Sequence, residues 1–91
     1  ARADICFLGV GGISKNGIST YALPETAVNR VILERTTGHR IIVTEGFKVG
    51  RDSNFHTADC NMITHLITDH TADPETVAYL KSIGVKVLFI S

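Results

Sequence analysis

Short apolar segments of the sequence alternate with two segments that begin at a proline and carry helical spacing, and this alternation strongly limits the possible folds. Alternating strands and helices are typical of an α/β fold, in which helices flank a mostly parallel sheet. We therefore predict a Rossmann-like α/β fold for the chain. The predicted elements are strands over Asp4–Val10, Arg40–Thr44, His65–Asp69 and Val85–Ile90, a short edge strand near Phe55–Thr57, and helices over Pro24–Thr37 and Pro74–Ile83.

The first predicted helix carries apolar residues at helical spacing. We expect Ala27, Val28, Val31 and Ile32 to form one apolar face that packs on the sheet. Gly38 is the expected stop, because glycine readily adopts the left-handed conformation that ends many helices.

The second predicted helix begins at a strong signal, with Asp73 as the N-cap residue and Pro74 at the first helical position, and Gly84 is expected to end it. Two helices cannot cover both faces of a four-stranded parallel sheet. We therefore expect open apolar surface, which meets residues of the same protein outside this chain or a partner subunit.

A stretch rich in Gly, Ser and Thr, Gly9–Leu23, follows the first strand and is predicted to be a loop. Ligands of open parallel sheets bind beyond the carboxyl ends of the strands, where this stretch begins. Lys48 follows the next parallel strand, so both segments are predicted to meet at one crevice. Glycine N–H groups, hydroxyls and one ammonium suit a phosphate or sugar phosphate. Alternatively, the glycines only permit left-handed backbone conformations and Lys48 is solvated, and the residues alone leave both interpretations open.

Charge and cysteine content bear on the class of protein. Lys plus Arg number nine, as do Asp plus Glu, whereas a free-standing DNA-binding module normally carries a basic surplus. Cys6 and Cys60 are expected to be reduced and structural, which suits the cytoplasm. No apolar run approaches the roughly 18 residues of a membrane span. His56, His65 and His70 lack the spacing of a metal site, so we expect no metal.

The chain also carries four segments of one known pattern, in the same order. They are ADICFLGVGGISKNG at 3–17, ETAVNRVILER at 25–35, TEGFKVGR at 44–51 and HLITD at 65–69. Together they resemble the sensor domain of DeoR-type bacterial transcription regulators. The resemblance implies a fold related to ribose-5-phosphate isomerase and glucosamine-6-phosphate deaminase, used to sense a phosphorylated sugar.

The resemblance also implies a context for the chain. Residues 1–91 correspond to the C-terminal portion of the effector-binding domain, and an N-terminal winged helix-turn-helix and the first part of the sensor domain lie outside it. Such a protein is a cytoplasmic, homo-oligomeric repressor of a sugar-utilisation operon, and it contacts operator DNA only through the absent domain. It uses no cofactor. The residues that match the family pattern for phosphate or effector binding are Gly9, Gly11, Gly12, Gly17, Thr20 and Lys48.

The chain departs from the family pattern beside the predicted lysine, where Gly46 and Phe47 replace two serines. Tyr21 and Phe47 lie on the two predicted site segments, where they either pack over a sugar ring or are partly buried. The rival class is an active sugar-phosphate isomerase or deaminase, which needs a carboxylate that moves a proton. We predict no catalytic residue, because Gly11 and Gly12 stand where the isomerase carries acidic residues. We interpret Asp69 as a turn residue.

Overall fold

The computed structural model describes residues 2–90. In this part of the chain a four-stranded sheet and a three-stranded sheet pack with two α-helices. The strands are β1 (Ala3–Leu8), β2 (Gly12–Ser14), β3 (Gly17–Thr20), β4 (Thr36–Val43), β5 (Phe55–Ala58), β6 (His65–Thr68) and β7 (Lys86–Phe89). The helices are α1 (Leu23–Arg35) and α2 (Pro74–Ser82), and single 3-10 turns cover Gly46–Lys48 and Cys60–Met62.

The larger sheet is parallel throughout and has the strand order β1-β4-β6-β7. Leu8 pairs with Ile42, and Ile42 pairs with Leu66, so these side chains form one row across the sheet. They join Leu33 of α1 and Leu80 of α2 in a single buried core. The prediction of an α/β fold with a parallel sheet and flanking helices is confirmed.

Both helices pack on the same face of the parallel sheet. The strand order advances in one direction along the chain, and right-handed crossovers then place every connecting helix on one side. Alternate residues of β1 show the consequence: Cys6 and Leu8 are buried, whereas Ile5 is exposed and Phe7 is 60% exposed. The expected open apolar surface is therefore the second face of this sheet.

The stretch predicted as a loop, Gly9–Leu23, is largely a β-hairpin, so that prediction is wrong. Strands β2 and β3 pair antiparallel, and β3 also pairs with β5 in a second sheet. Ile13 and Ile18 lie opposite each other and are fully buried. Glycine and serine content predicted a loop, but burial of these two isoleucines against the core favours strand pairing, because side-chain packing dominates strand preference. Gly17 has a φ of 117°, which glycine adopts without strain and which suits the tight turn before it.

Helix α1 presents a different face to the core from the one predicted. Its buried residues are Thr26, Asn29 and Leu33, whereas Val28 and Val31 are more than half exposed. The apolar spacing was therefore a wrong guide to the packed face. The buried hydroxyl of Thr26 is accommodated because it hydrogen-bonds Thr20.

The end of α1 also differs from the prediction. Gly38 does not stop the helix, because α1 ends at Arg35 and Gly38 lies within β4. A side chain at Gly38 would overlap the carbonyl oxygen of Asp4 on β1, so this glycine permits close strand pairing instead.

Helix α2 has the predicted ends. The backbone N–H of Thr76 donates to Asp73 Oδ2 at 3.0 Å, which is an N-cap bond. Gly84 follows the helix with a φ of 96°. Neither α-helix among residues 2–90 has the length and apolar character needed to cross a membrane.

Candidate functional site

The carboxyl ends of β1, β4 and β6 lie side by side, because these strands are parallel neighbours. Gly9 follows β1, Thr44 follows β4 and Asp69 follows β6. This is the edge at which open parallel sheets bind ligands. An open cleft of about 210 Å³ lies here, and its walls include Thr44, Glu45 and Asp69.

Asp69 joins two of the loops at this edge. Its Oδ2 accepts the backbone N–H of Gly46 at 2.9 Å, and its Oδ1 accepts the backbone N–H of Thr71 at 2.8 Å and the Thr71 hydroxyl at 2.5 Å. The Thr71 hydroxyl, followed by the backbone N–H groups of Gly46 and Thr71, holds the pKa of the Asp69 carboxyl below its ordinary value. The interpretation of Asp69 as a turn residue is confirmed.

Gly46 occupies a position that has no space for a side chain. A Cβ atom at this position would overlap the Thr71 hydroxyl and the Asp69 carboxylate. The departure from the family pattern at residue 46 therefore lets the loop after β4 lie directly against the loop after β6.

Lys48 lies in the 3-10 turn after β4, among aromatic side chains. Its Nζ is 5.9 Å from the centroid of the Tyr21 ring and 5.7 Å from that of the Phe47 ring, both within cation–π range. Glu45 Oε1 lies 3.5 Å from the same nitrogen. The lysine side chain is only 19% exposed. Lys48 is thus held in place by two aromatic rings and one carboxylate.

The hairpin and the Lys48 loop are in direct contact. Ile13 of β2 forms a bridge with Val49, and the backbone N–H of Gly50 donates to the Ile13 carbonyl at 2.7 Å. A Cβ atom at Gly11 would lie 3.2 Å from the Tyr21 ring, so the glycine-rich segment adjoins the ring that Lys48 approaches. The structure therefore brings together the two segments that the sequence predicted to meet.

Three of the predicted site glycines lie close together in the chain but in different surroundings. Gly9 is exposed, and a Cβ atom there would have no neighbour within 4 Å. The backbone N–H of Gly11 donates to the Ser19 carbonyl at 2.8 Å within the hairpin. A side chain at Gly12 would overlap the carbonyl oxygen of Arg51, so this glycine allows the hairpin to approach the Lys48 loop.

The other two predicted site residues of the hairpin are involved in packing. Gly17 lies at the turn, where a side chain would overlap the carbonyl oxygen of Ala58. Thr20 is fully buried, and its hydroxyl hydrogen-bonds the Thr26 hydroxyl and the Ala22 carbonyl at the start of α1. These contacts place Gly17 and Thr20 in the framework behind the crevice.

Sequence analysis missed a polar cluster that fixes the hairpin tip. The Ser14 hydroxyl donates to Asp52 Oδ1, and the Asn16 side-chain amide donates to Asp52 Oδ2 at 3.0 Å. The Ser14 hydroxyl is the main cause that holds the pKa of the Asp52 carboxyl below its ordinary value. No local pattern marks these residues, because 38 positions separate Ser14 from Asp52.

Sequence analysis also missed Ser53, whose buried hydroxyl has no hydrogen-bond partner in the described part of the chain. This oxygen lies next to Gly11, since a Cβ atom at Gly11 would be 2.8 Å from it. The backbone N–H of Ser53 donates to the Ser19 hydroxyl at 2.7 Å. Ser53 therefore places an unpaired hydroxyl beside Gly11 of the hairpin.

The Asp69 carboxylate is poorly suited to accept a proton from a ligand. The Asp69 carboxylate accepts three hydrogen bonds and has a lowered pKa, which makes it a weak base. Across residues 2–90, no group of three or more His, Cys, Asp and Glu side chains is arranged to hold a metal ion. Both cysteines are buried and free.

A larger cleft, of about 390 Å³, lies between α1 and β5. Its walls include none of the six predicted site residues, and neither do the walls of the 210 Å³ cleft. Arg30, on its α1 side, donates from Nε to the Thr57 carbonyl at 3.0 Å and so joins the helix to β5. This contact gives Arg30 a structural role.

Comparison with known families agrees with the α/β fold. The family model described as the DeoR C terminal sensor domain matches residues 1–70 of the chain. A search of the curated proteins found no match.

Proposed function

Because the chain belongs to the family of DeoR C-terminal sensor domains, we propose that it senses a phosphorylated sugar on behalf of a DNA-binding repressor of a sugar-utilisation operon. Family membership makes it the effector-binding part of a transcription regulator. The chemical class of the effector and the direction of regulation are the proposal.

The placement of Lys48 carries the proposal. The partly buried Lys48 side chain lies at the ligand-binding edge of a parallel sheet, and its ammonium nitrogen is 3.5 Å from Oε1 of the exposed Glu45. An ammonium in such a position attracts a phosphate and donates a charge-assisted hydrogen bond to it. A sugar phosphate combines this anion with sugar hydroxyls, which can form hydrogen bonds with the backbone and the side-chain hydroxyls of the protein.

The predicted glycines and Thr20 complete the proposed site in two ways. Gly9, with open space beside it, lets a phosphate or sugar approach the backbone after β1. Gly12 lets the hairpin lie against the Lys48 loop, and Gly11 donates a hydrogen bond within the hairpin. Gly17 and Thr20 pack the hairpin against β5 and the start of α1. Effector binding at Lys48 would therefore affect the position of the hairpin.

The rest of the regulator is proposed to lie outside this chain. A preceding part of the sensor domain would cover the open sheet face around Phe7, since parallel sheets are normally covered on both faces. A winged helix-turn-helix would contact operator DNA, for which the balanced charge of residues 1–91 is unsuited.

We further propose a cytoplasmic homo-oligomer. The exposed side chains of Leu23, Val28 and Val31 on α1 offer an apolar surface for a second subunit. Buried, free cysteines suit the reducing cytoplasm, where operator DNA lies.

A screen of the complete regulator against sugar phosphates and their unphosphorylated sugars tests the proposal. Binding would be followed by thermal shift and by release or retention of operator DNA in a gel shift. Lys48→Met should weaken binding of the responsive compound by roughly 10- to 150-fold, the equivalent of one charge-assisted hydrogen bond. Lys86→Met, at the opposite end of the sheet, is the matched control and should leave the affinity unchanged. Equal affinity of the wild type and the folded Lys48→Met variant would disprove the phosphate role of Lys48.

A further inference from the structure

We propose that Tyr21 and Phe47 form an aromatic clamp beside Lys48, and that this clamp selects sugar phosphates in their cyclic form over open-chain ones. The inference rests on the proposed function, because it assigns a ligand class to the same site. In this proposal Tyr21 and Phe47 determine specificity by contacting the sugar, whereas Lys48 binds the phosphate.

The exposure of the two rings is the first observation. Tyr21 is 51% exposed and Phe47 is 54% exposed, although each is a large aromatic side chain at the ligand edge of a packed sheet. Exposed aromatic surface beside a polar anchor is typical of a ligand site, where apolar walls surround a few placed polar groups.

The position of the rings is the second observation. Both ring centroids lie within 6 Å of the same ammonium nitrogen, that of Lys48. A phosphate bound by this nitrogen would leave its sugar within reach of both rings. The guanidinium carbon of Arg51 lies 5.3 Å from the Phe47 centroid, so a second cation lies beside the same ring.

The framework holds both rings where they are. Gly11 leaves room for the Tyr21 ring, and Asn54 donates from its side-chain amide to the Tyr21 carbonyl at 3.3 Å. Phe47 lies in a turn whose first residue, Gly46, is fixed by Asp69. The rings are therefore carried by loops that are tied to the core at several points.

This geometry explains why the ring form is preferred. A furanose or pyranose presents a flat array of C–H groups that packs on an aromatic face, and it is already rigid before it binds. An open-chain sugar phosphate makes the same bonds to Lys48 but must lose more conformational freedom to lie against the rings. Cation–π contact with Lys48 alone does not use the rings fully, since more than half of each remains exposed.

The test is isothermal titration of the complete regulator with matched pairs of ligands. Glucose 6-phosphate is compared with glucitol 6-phosphate, and ribose 5-phosphate with ribitol 5-phosphate, with inorganic phosphate as the common reference. The variants are Phe47→Leu and Tyr21→Leu, which keep an apolar side chain but remove the flat ring. Phe89→Leu, a partly exposed aromatic on β7, is the matched control, and Lys48→Met reports on the phosphate contact.

We expect the wild type to bind one ring-form ligand at least about 10-fold more tightly than its open-chain partner. Phe47→Leu and Tyr21→Leu should each lower this ratio by roughly 3- to 10-fold, with little change in the affinity for inorganic phosphate. Phe89→Leu should keep the wild-type ratio. Circular dichroism and thermal unfolding of each variant show that it is folded.

Two failures are distinguishable. Binding that depends on Lys48 but shows no preference for the ring form, or a preference that survives both aromatic substitutions, overturns the aromatic clamp and leaves the phosphate site standing. Binding of no probe, or binding that ignores Lys48→Met, overturns both the clamp and the proposed function.

Discussion

Oδ2 of Asp69 accepts a 2.9 Å hydrogen bond from the backbone N–H of Gly46, and this bond ties together the loops that follow two neighbouring parallel strands. The same turn of chain carries Lys48. The turn that carries Lys48 is therefore tied to a carboxylate that follows a different strand. Asp69 thus holds this turn in position.

We predict that Asp69→Asn loosens the Lys48 loop while the sheet remains folded. The amide keeps one acceptor oxygen but loses the charge, so the bonds from Gly46 and Thr71 weaken. Hydrogen exchange at the Gly46 and Thr71 amides should accelerate, whereas the amides of the central strand β4 keep their protection. Unchanged exchange at Gly46 would show that the loop is held by other contacts.

Two glycine substitutions distinguish the effect of close packing on stability from the effect of backbone conformational freedom. Gly12→Ala places a Cβ atom against the Arg51 carbonyl oxygen and should destabilise the chain by about 1–3 kcal/mol. Gly9→Ala meets no atom within 4 Å and should be neutral or stabilising by up to about 1 kcal/mol, because alanine restricts the unfolded chain. Urea unfolding measures both. Equal effects of the two substitutions would contradict the close contact between the hairpin and the Lys48 loop.

The parallel sheet was predictable because its elements carry strong local signals. Asp73 and Pro74 mark the start of α2, and β-branched residues indicate β4. The hairpin was not predictable in this way. Ile13 and Ile18 become strand residues by packing on the core and on β5, whose paired residue Ala58 is 40 positions beyond Ile18.

The candidate site was likewise predictable only in part. The meeting of the glycine-rich segment with Lys48 followed from the parallel order of β1 and β4, a rule of topology. The roles of Asp52 and Ser53 depend on long-range contacts to Ser14 and Ser19, which no spacing in the sequence reveals. The packed face of α1 was missed because its buried Thr26 and Asn29 are polar.

His65 should make stability depend on pH in the weakly acidic range. Partial burial, followed by the charges of His39 and Lys86, holds the pKa of His65 below its ordinary value. The unfolded chain therefore takes up this proton at a higher pH than the folded chain does, with an ordinary histidine pKa of about 6.5. The stability from neutral His65 is complete above that pH and is lost as the pH falls through the lower, folded pKa.

His65→Gln should accordingly flatten the pH dependence of the free energy of unfolding between about pH 7 and pH 5. Lys86→Met should flatten it in part, because it removes one of the charges that oppose protonation. Urea unfolding at a series of pH values measures the slope. A slope equal to that of the wild type in His65→Gln would assign the pH dependence to other groups.

Phe7→Asp tests what covers the open face of the parallel sheet. Phe7 is 60% exposed within this chain, so in the isolated 91-residue chain an aspartate should stay hydrated and should change stability by no more than about 0.5–1 kcal/mol. In the complete regulator the proposed preceding part of the sensor domain packs on this face, and an unpaired carboxylate buried there should cost more than about 2 kcal/mol. Thermal and urea unfolding of both forms, with Ala78→Asp on the exposed side of α2 as the control, measure the difference. A complete regulator that tolerates Phe7→Asp as well as the isolated chain does would show that this face stays open to solvent.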